Sequence, residues 1–587
     1  MSHLNKHFFP FVLALITVAI FFPLLRHTFL LFDDNVHLYE NPILLNLSLA
    51  NFFQFWKTPY FGLYVPVTYT VWSLVRALTL VFSVNEFPPA PYHAVNLALH
   101  ATNGILVFYL LRALVKKPYA AFLGAAFFLL HPIQVEAVAW VAGLKDLLAT
   151  FFSLLLLLAV TREKTLRWTM TPLFLLAMLS KPSAVVLPLL TLVFLRIDGG
   201  KDKFRAALPT ALFWLALSAL FVQATRTLQP SSGTQFIVPV FLRHFVAGDA
   251  LAFYLKKIIF PFGLAIDYGR NAESVLENHS AYWTWLVPVT LALALRNLNR
   301  RWLTFGFLIF VVSLIPVLGL IPFRYQAFST VADRYVYLGL LGPALIVAAI
   351  FAQLKSVRAK FIVGSLGLFA LTFLTHRQLG FWRNTETCLF HGLSVNPASL
   401  IAHNNLGNFY ERRGNWDKAL EYYQRAVQLK PNWLDPHYNA AGILVRQHRY
   451  DNAQKHLNFI HRRNPRYADA YFLEGLMELE KKRPERAIEP LQTAISILPF
   501  NESYYSKLGL AYILAGRLTE AKVTLEYSVT LNPRIAETYN NLGVIELRQK
   551  HYSKAKGLFT TALKLAPNYA EARSNLASLT RPQSEAG

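Results

Sequence analysis

A single cysteine, Cys388, among 587 residues excludes internal disulfides and structural zinc sites built on cysteine. Acidic side chains are also scarce: 33 Asp and Glu against 57 Lys and Arg leave a formal charge of +24. An excess of that size would suit nucleic acid. Its distribution argues against that partner, because much of the Lys and Arg falls in short clusters between apolar runs, the pattern of membrane topology. No small-residue cleavage site follows the first apolar run, Phe8 to Leu25, so that run is read as a retained span. What the chain has in plenty is apolar surface. At 54% hydrophobic and 14% aromatic it is too apolar for a soluble protein, and it is too long for one domain.

The apolar runs continue to about His376 and stop. Between them lie basic clusters: Lys6; Arg112, Lys116 and Lys117; Arg162, Lys164 and Arg167; Arg196, Lys201, Lys203 and Arg205; Arg296, Arg300 and Arg301; Lys355, Arg358 and Lys360. Placing every cluster in the cytoplasm fixes the parity of the crossings. Phe8 to Leu25 goes out and Tyr92 to Leu111 returns. Tyr119 to Val160 and Trp168 to Phe194 each cross twice. Ala206 to Val222 goes out, Trp283 to Leu295 in, Trp302 to Ile321 out, Tyr335 to Phe351 in and Phe361 to Thr375 out. The expectation is eleven spans, with the N-terminus cytoplasmic and the C-terminal half outside. Two runs are kept out of the bilayer. Val65 to Val84 would reverse the side of Lys116 and Lys117, and Phe241 to Phe262 carries Arg243, Lys256 and Lys257, so both are read as interfacial helices.

Pro397, Pro431, Pro465, Pro499, Pro533 and Pro567 recur every 34 residues, the period of the tetratricopeptide repeat. Leu-Gly pairs at 406–407, 508–509 and 542–543 mark first helices, and Ala419, Ala453, Ala487, Ala521 and Ala555 mark the close approach of the second. The expected layout is a membrane domain at 1–376, a connecting segment at 377–397, five repeats with a capping helix at 398–580 and a disordered tail at 581–587. The fold class is all-α, a polytopic helix bundle followed by a repeat superhelix that binds extended peptide or protein.

Leu31-Phe32-Asp33-Asp34-Asn35 follows the first span, on the outer side. Two adjacent carboxylates there read either as a solvated acidic loop or as a catalytic base or metal ligand facing a lipid-linked substrate. Other charges also reach outer turns: His131, Glu136, Lys145 and Asp146 between the spans of 119–160, and Lys181 in Ser180-Lys181-Pro182. The arms around Lys181 are about 13 residues, roughly 20 Å of helix against a hydrocarbon core of roughly 30 Å, so Lys181 either sits recessed or its arms extend further.

The order of these motifs resembles the transmembrane and tetratricopeptide-repeat O-mannosyltransferases, within the GT-C glycosyltransferases. The resemblance is carried by Phe32-Asp33-Asp34, by Tyr92-His93-Ala94-Val95-Asn96-Leu97-Ala98-Leu99-His100-Ala101 and by His131-Pro132-Ile133-Gln134-Val135-Glu136-Ala137-Val138-Ala139-Trp140. It continues in Lys145-Asp146-Leu147-Leu148-Ala149, Ser180-Lys181-Pro182 and Asp333-Arg334-Tyr335-Val336-Tyr337-Leu338. It implies a GT-C-like catalytic bundle, a polyprenyl-phosphate sugar donor, a hexose such as mannose moved to Ser or Thr of a protein, and repeats that hold the acceptor. It also implies a bacterial inner membrane with the repeats in the periplasm. The chain departs from the family pattern at Lys181-Pro182, where Lys-Glu is common, at Gly143-Leu144-Lys145-Asp146, where Gly-Arg-Ala-Asp is common, and at Tyr64-Val65-Pro66, where the family's Arg is missing.

With that resemblance the roles are Asp34 or Asp33 as base, and Lys181, Arg334 and Lys145 at the donor phosphate. Arg334 has an interfacial anchor as its plain alternative, and Lys145 with Asp146 a surface ion pair. His131, Glu136, Asp146 and Asp267 are supporting groups or ligands to a divalent metal, the one candidate cofactor. His93 and His100, seven apart on one helical face, are read as packing. Two other functions stay open: a non-catalytic repeat scaffold anchored in the membrane, and a ligase that transfers whole lipid-linked glycans.

Overall fold

The computed structural model describes residues 4–82, 87–198, 200–228, 238–297 and 301–580. The tail expected to be disordered, 581–587, lies outside them. Among the described residues the regular structure is helical, with one isolated bridge between Tyr60 and Leu63. The chain divides into two compact units, Met1–Phe409 and Tyr410–Gly587.

In the first unit each of the eleven stretches expected to cross a membrane contains a helix. Shorter helical turns lie between them, and the longer helices run in the order α1 (Leu4–Phe21), α2 (Leu49–Lys57), α3 (Pro66–Val81), α4 (Pro89–Val115), α5 (Pro118–Leu130), α6 (Leu144–Glu163) and α7 (Thr171–Ser180). Then come α8 (Leu187–Asp198), α9 (Gly200–Leu228), α10 (Arg243–Ile259), α11 (Leu286–Asn297), α12 (Arg301–Leu314), α13 (Leu341–Gln353) and α14 (Val357–Phe381). Among the described residues five segments are long and apolar enough to cross a bilayer: His7–Arg26, Pro89–Val115, Val141–Glu163, Gly200–Thr225 and Val357–Phe381. A sixth is added if Pro118–Leu130 and Pro132–Ala139, bent by 48° at their junction, count as one. Trp168–Ser180, Pro182–Ile197, Arg301–Val317 and Leu341–Gln353 are apolar but shorter. The runs behind the count of eleven therefore include several that fall short of a full hydrocarbon core at 1.5 Å rise per residue.

Two breaks shape this unit, and both come from X-Pro steps. Proline disfavours helical backbone in the residue before it. His131, before Pro132, has φ −74 and ψ 125, and Lys181, before Pro182, has φ −155 and ψ 131. α5 and α7 stop there, and the chain continues through 3₁₀ turns at Pro132–Gln134 and Pro182–Val186. Such breaks free carbonyls that lipid cannot satisfy. The polar stripe of α4 lies against the first break: Asn96 donates to the carbonyls of Val138 and Trp140 and His100 Nε2 to Leu129, while Asn103 donates to Leu147 inside α6. Thr375 on α14 donates to Leu130 at 2.7 Å. His100 thus splints a break as well as filling space.

The two stretches expected at the interface are α3 and α10. α3 buries Tyr69, Trp72 and Arg76 and exposes Leu74, Leu78 and Val81. The connecting segment differs from expectation. α14 runs unbroken to Phe381, past the expected span end at Thr375. Asn384 then caps a new helix, α15 (Thr385–Val395), accepting from the Thr387 amide at 2.9 Å.

The repeats begin with α16 (Leu400–Arg412). They continue as α17 (Trp416–Leu429), α18 (Leu434–Arg446), α19 (Tyr450–Arg463), α20 (Ala468–Glu480), α21 (Pro484–Ile497), α22 (Glu502–Leu514), α23 (Leu518–Leu531), α24 (Ala536–Arg548) and α25 (Tyr552–Leu565), closed by α26 (Ala570–Thr580). First helices start at 400, 434, 468, 502 and 536, each 34 after the last, and the cap keeps the same phase at 570. Ala419, Ala453, Ala487, Ala521 and Ala555 are fully buried. A Cβ on Gly475 would lie 2.5 Å from Leu491, and on Gly509 2.4 Å from Leu525, so the two helices of a pair touch backbone to side chain there.

Candidate active site

The first loop brings the two carboxylates into different settings. Asp34 precedes a π-helical turn, Asn35–Tyr39, and is fully buried. Its Oδ2 accepts from the Leu30 amide and its Oδ1 from the Ala142 amide, both at 2.9 Å. The second bond ties the loop to the broken segment before α6. Burial pushes the Asp34 carboxyl up to about 7, against those two amides and Lys145, while Asp33 adds to the rise. Asp33 is half-buried, and of the charges around Lys145 it acts most strongly. Leu31 donates to the hydroxyl of Thr385 at 3.0 Å, and the Thr28 amide to the Arg383 carbonyl at 3.1 Å, so α15 holds the loop from the other side.

Lys181, thrown out of α7 by Pro182, forms an ion pair with Asp146 on α6. Its side chain keeps 17% of its surface, enough to be reached. The pair sits in a cleft lined also by Thr150, Ser153, Ser313 and Tyr335. Arg334 lies on the 3₁₀ turn Asp333–Val336 and pairs with buried Glu136; its backbone amide also donates to Glu136 at 3.3 Å. Three rings surround its guanidinium: Tyr325 at 4.5 Å, Tyr335 at 5.0 Å and Trp140 at 5.2 Å. Trp140 also stands 5.7 Å from Lys145 and 5.3 Å from Phe32. Lys145, Lys181 and Arg334 therefore share one neighbourhood with Asp33, Asp146 and Glu136. Arg334 is buried against Glu136, and Asp146 is paired with Lys181.

Two expected site residues have other work. His131 accepts from the Ile133 amide at its Nδ1 and donates from Nε2 to the Ile258 carbonyl, at 3.2 and 3.0 Å. Asp267 is bound to Gly269, Asn396 and Ser399. The metal reading fits poorly for the same reason. Each carboxylate faces a cation or backbone donors, and among the described residues no three His, Cys, Asp or Glu side chains converge. Tyr325 and Tyr268 carry no role assigned from the sequence, and Asp333 enters there only as the first residue of the Asp333–Leu338 motif. Tyr268 donates to Asp333 at 2.7 Å, a contact 65 residues apart with no local signal. Trp140 did carry a signal, as the aromatic end of the His131–Trp140 motif.

Family profiles described as tetratricopeptide repeat match residues 401–432, 438–502 and 536–569. The chain is 26% identical over 424 residues to protein O-mannosyl-transferase F38B6.6 of Caenorhabditis elegans, covering 68% of this chain and 60% of that one. It is 26% identical to protein O-mannosyl-transferase TMTC3 of Mus musculus, covering 68% and 49%, and 26% identical to TMTC4 of Homo sapiens, covering 59% and 57%. The matched part thus spans between about half and three fifths of these relatives. Apolar helices of spanning length, joined to tetratricopeptide repeats, define an integral membrane protein with a repeat domain. Within that class the chain is similar, over about two thirds of its length, to proteins named protein O-mannosyl-transferases.

Proposed function

We propose that the chain is a GT-C type glycosyltransferase that moves a hexose, mannose by analogy with its relatives' names, from a polyprenyl-phosphate donor to Ser or Thr of a protein held by the repeats. The observation that supports it most is the reachable Lys181–Asp146 pair in a cleft beside Lys145 and Arg334. A phosphate entering the cleft competes with Asp146 for Lys181, whose ammonium carries three donors. Asp33 takes the proton of the acceptor hydroxyl. The acceptor oxygen bonds to the sugar C1, the bond from C1 to the phosphate oxygen breaks, and polyprenyl phosphate leaves with the added negative charge. Lys181, Lys145 and Arg334 stabilise that charge in a site poor in water, where fixed cations act most strongly. Asp34 shapes the loop that carries Asp33. No step is assigned to a metal.

The basic clusters support cytoplasmic loops on one side and Asp33 with the repeats on the other, which in a bacterial inner membrane is the periplasm. The test is to give the purified protein labelled polyprenyl-phosphate hexose and, separately, lipid-linked oligosaccharide, with a protein acceptor. Transfer of the single sugar is expected. Transfer of the oligosaccharide alone would make the chain a ligase, and transfer of neither with acceptor still bound would make it a scaffold.

A further inference from the structure

The loop that follows α10 holds a carboxylate that this reaction leaves without a task. Asp267 is buried. Its Oδ1 accepts from the Gly269 amide at 2.9 Å, and its Oδ2 from the Ser399 hydroxyl and from Asn396 Nδ2 at 3.4 Å. Both side-chain partners lie at the entrance of α16, the first repeat helix. Ser399 also caps that helix, its Oγ accepting from the Ala402 amide at 3.0 Å. One hydroxyl therefore serves the helix start and the carboxylate together. Gly269 has φ +61, and a Cβ on it would come within 2.4 Å of the Asn396 side chain, so loop and linker meet without room for a larger residue.

The neighbours of Asp267 in the same loop support Arg334. The Ile266 carbonyl accepts from the Tyr325 hydroxyl at 3.0 Å, and the Tyr325 ring lies 4.5 Å from the guanidinium of Arg334. Tyr268 holds Asp333, the residue before Arg334. The Leu264 carbonyl accepts from His391 at 2.8 Å and Gln378 at 3.1 Å, so α14 and α15 grip the loop as well. A buried carboxylate costs desolvation that donors must offset, and here the donors are those at the helix entrance. A tie needed only to hold the linker could sit anywhere along it. This one sits between the two residues that reach Tyr325 and Asp333.

We propose that Asp267 is a positioning residue: it fastens the capped start of α16 to the loop that carries Ile266 and Tyr268, and through Tyr325 and Asp333 it sets the place of Arg334 at the donor phosphate. The inference rests on the reading of Arg334 as a donor contact. Its consequence is a two-way coupling, in which any shift at the start of α16 alters donor affinity and donor binding resists that shift.

The experiment uses the full chain in nanodiscs with polyprenyl-phosphate hexose as the probe. Asp267→Asn and Ser399→Ala are each expected to weaken donor affinity about five- to fiftyfold. The double variant should be no weaker than the stronger single one, because both break the same link. Ser399→Thr, which keeps the hydroxyl, should bind as the wild type does. The control is Asn415→Ala, which removes the cap of α17, where Asn415 accepts from the Lys418 amide. It should lower stability and leave donor affinity alone. Unchanged affinity in Asp267→Asn and Ser399→Ala, or an equal loss in Asn415→Ala, would overturn the proposal. Hydrogen exchange over 332–340 gives a second readout that needs no donor. Faster exchange is expected in both variants but not in Asn415→Ala. Should the wild type bind no donor, the reading of Arg334 fails, and unchanged exchange would then sink the positioning role separately.

Discussion

Asp33 and Asp34 are adjacent in sequence, yet only Asp34 is fully buried. Asp34 spends both oxygens on backbone amides, whereas Asp33 is half-buried beside Lys145. Asp33→Asn should cut sugar transfer by about 10²-fold at unchanged donor affinity. Asp34→Asn should act through the loop: its amide nitrogen would face a backbone N–H, and a buried donor left unpaired costs about 1–3 kcal/mol. A rate for Asp33→Asn within a few-fold of wild type would defeat the assignment of the base. The raised carboxyl of Asp34 also has a consequence in pH. Between about 4 and about 7 the unfolded group has lost its proton while the buried one keeps it, so the folded state binds more protons. Stability from this group therefore falls as pH rises through that window and levels off above it. Thermal unfolding of detergent-purified protein from pH 5 to 8 should show this slope, and Asp34→Asn should flatten it. The sequence could not separate the two carboxylates, because the difference lies in Ala142, 108 residues away from Asp34. Lys181 was more legible, since the proline after it fixes both the helix end and the direction of the chain.

At the scale of elements, the 34-residue spacing of the prolines matches the spacing at which first helices begin, from 400 to 570. That period is local, so sequence carries it well. Asp267 shows the opposite case: its partners Asn396 and Ser399 belong to a helix entrance far along the chain, and nothing near Ile266-Asp267-Tyr268 announces them. The glycines of the repeats separate into two kinds with opposite responses. Gly442 in α18 has open space where a Cβ would stand, so Gly442→Ala should raise stability of the repeats by about 1 kcal/mol. Gly475 in α20 has Leu491 at 2.5 Å, so Gly475→Ala should lower it by about 1–3 kcal/mol. Chemical denaturation followed by far-UV circular dichroism distinguishes them. Equal effects of one sign would show that the pairing of α20 with α21 is looser than described.

For the whole molecule, the parity of basic clusters makes a claim that can be tested in intact cells. Cysteines placed beside Lys116, Lys201 and Lys355 should resist a membrane-impermeant reagent, and one on the surface of α19 should react. Reaction near Lys116 would reverse the scheme and with it the side of Asp33. Removing 432–587 leaves the first repeat in place and should spare donor binding, because every proposed donor contact precedes Leu338. It should abolish transfer to the natural acceptor. Measuring both on the truncated protein decides whether the repeats deliver substrate. One last property follows from the unbroken phase from α16 to α26, in which each first helix starts 34 residues after the one before it. A solenoid without insertions between its units is a ruler marked in whole divisions. Duplicating or excising one division would change how far the far end reaches and leave the junction at every remaining division as it was. The zero of that ruler is Ser399, so a lineage could alter the length of what it measures without disturbing where the measurement begins.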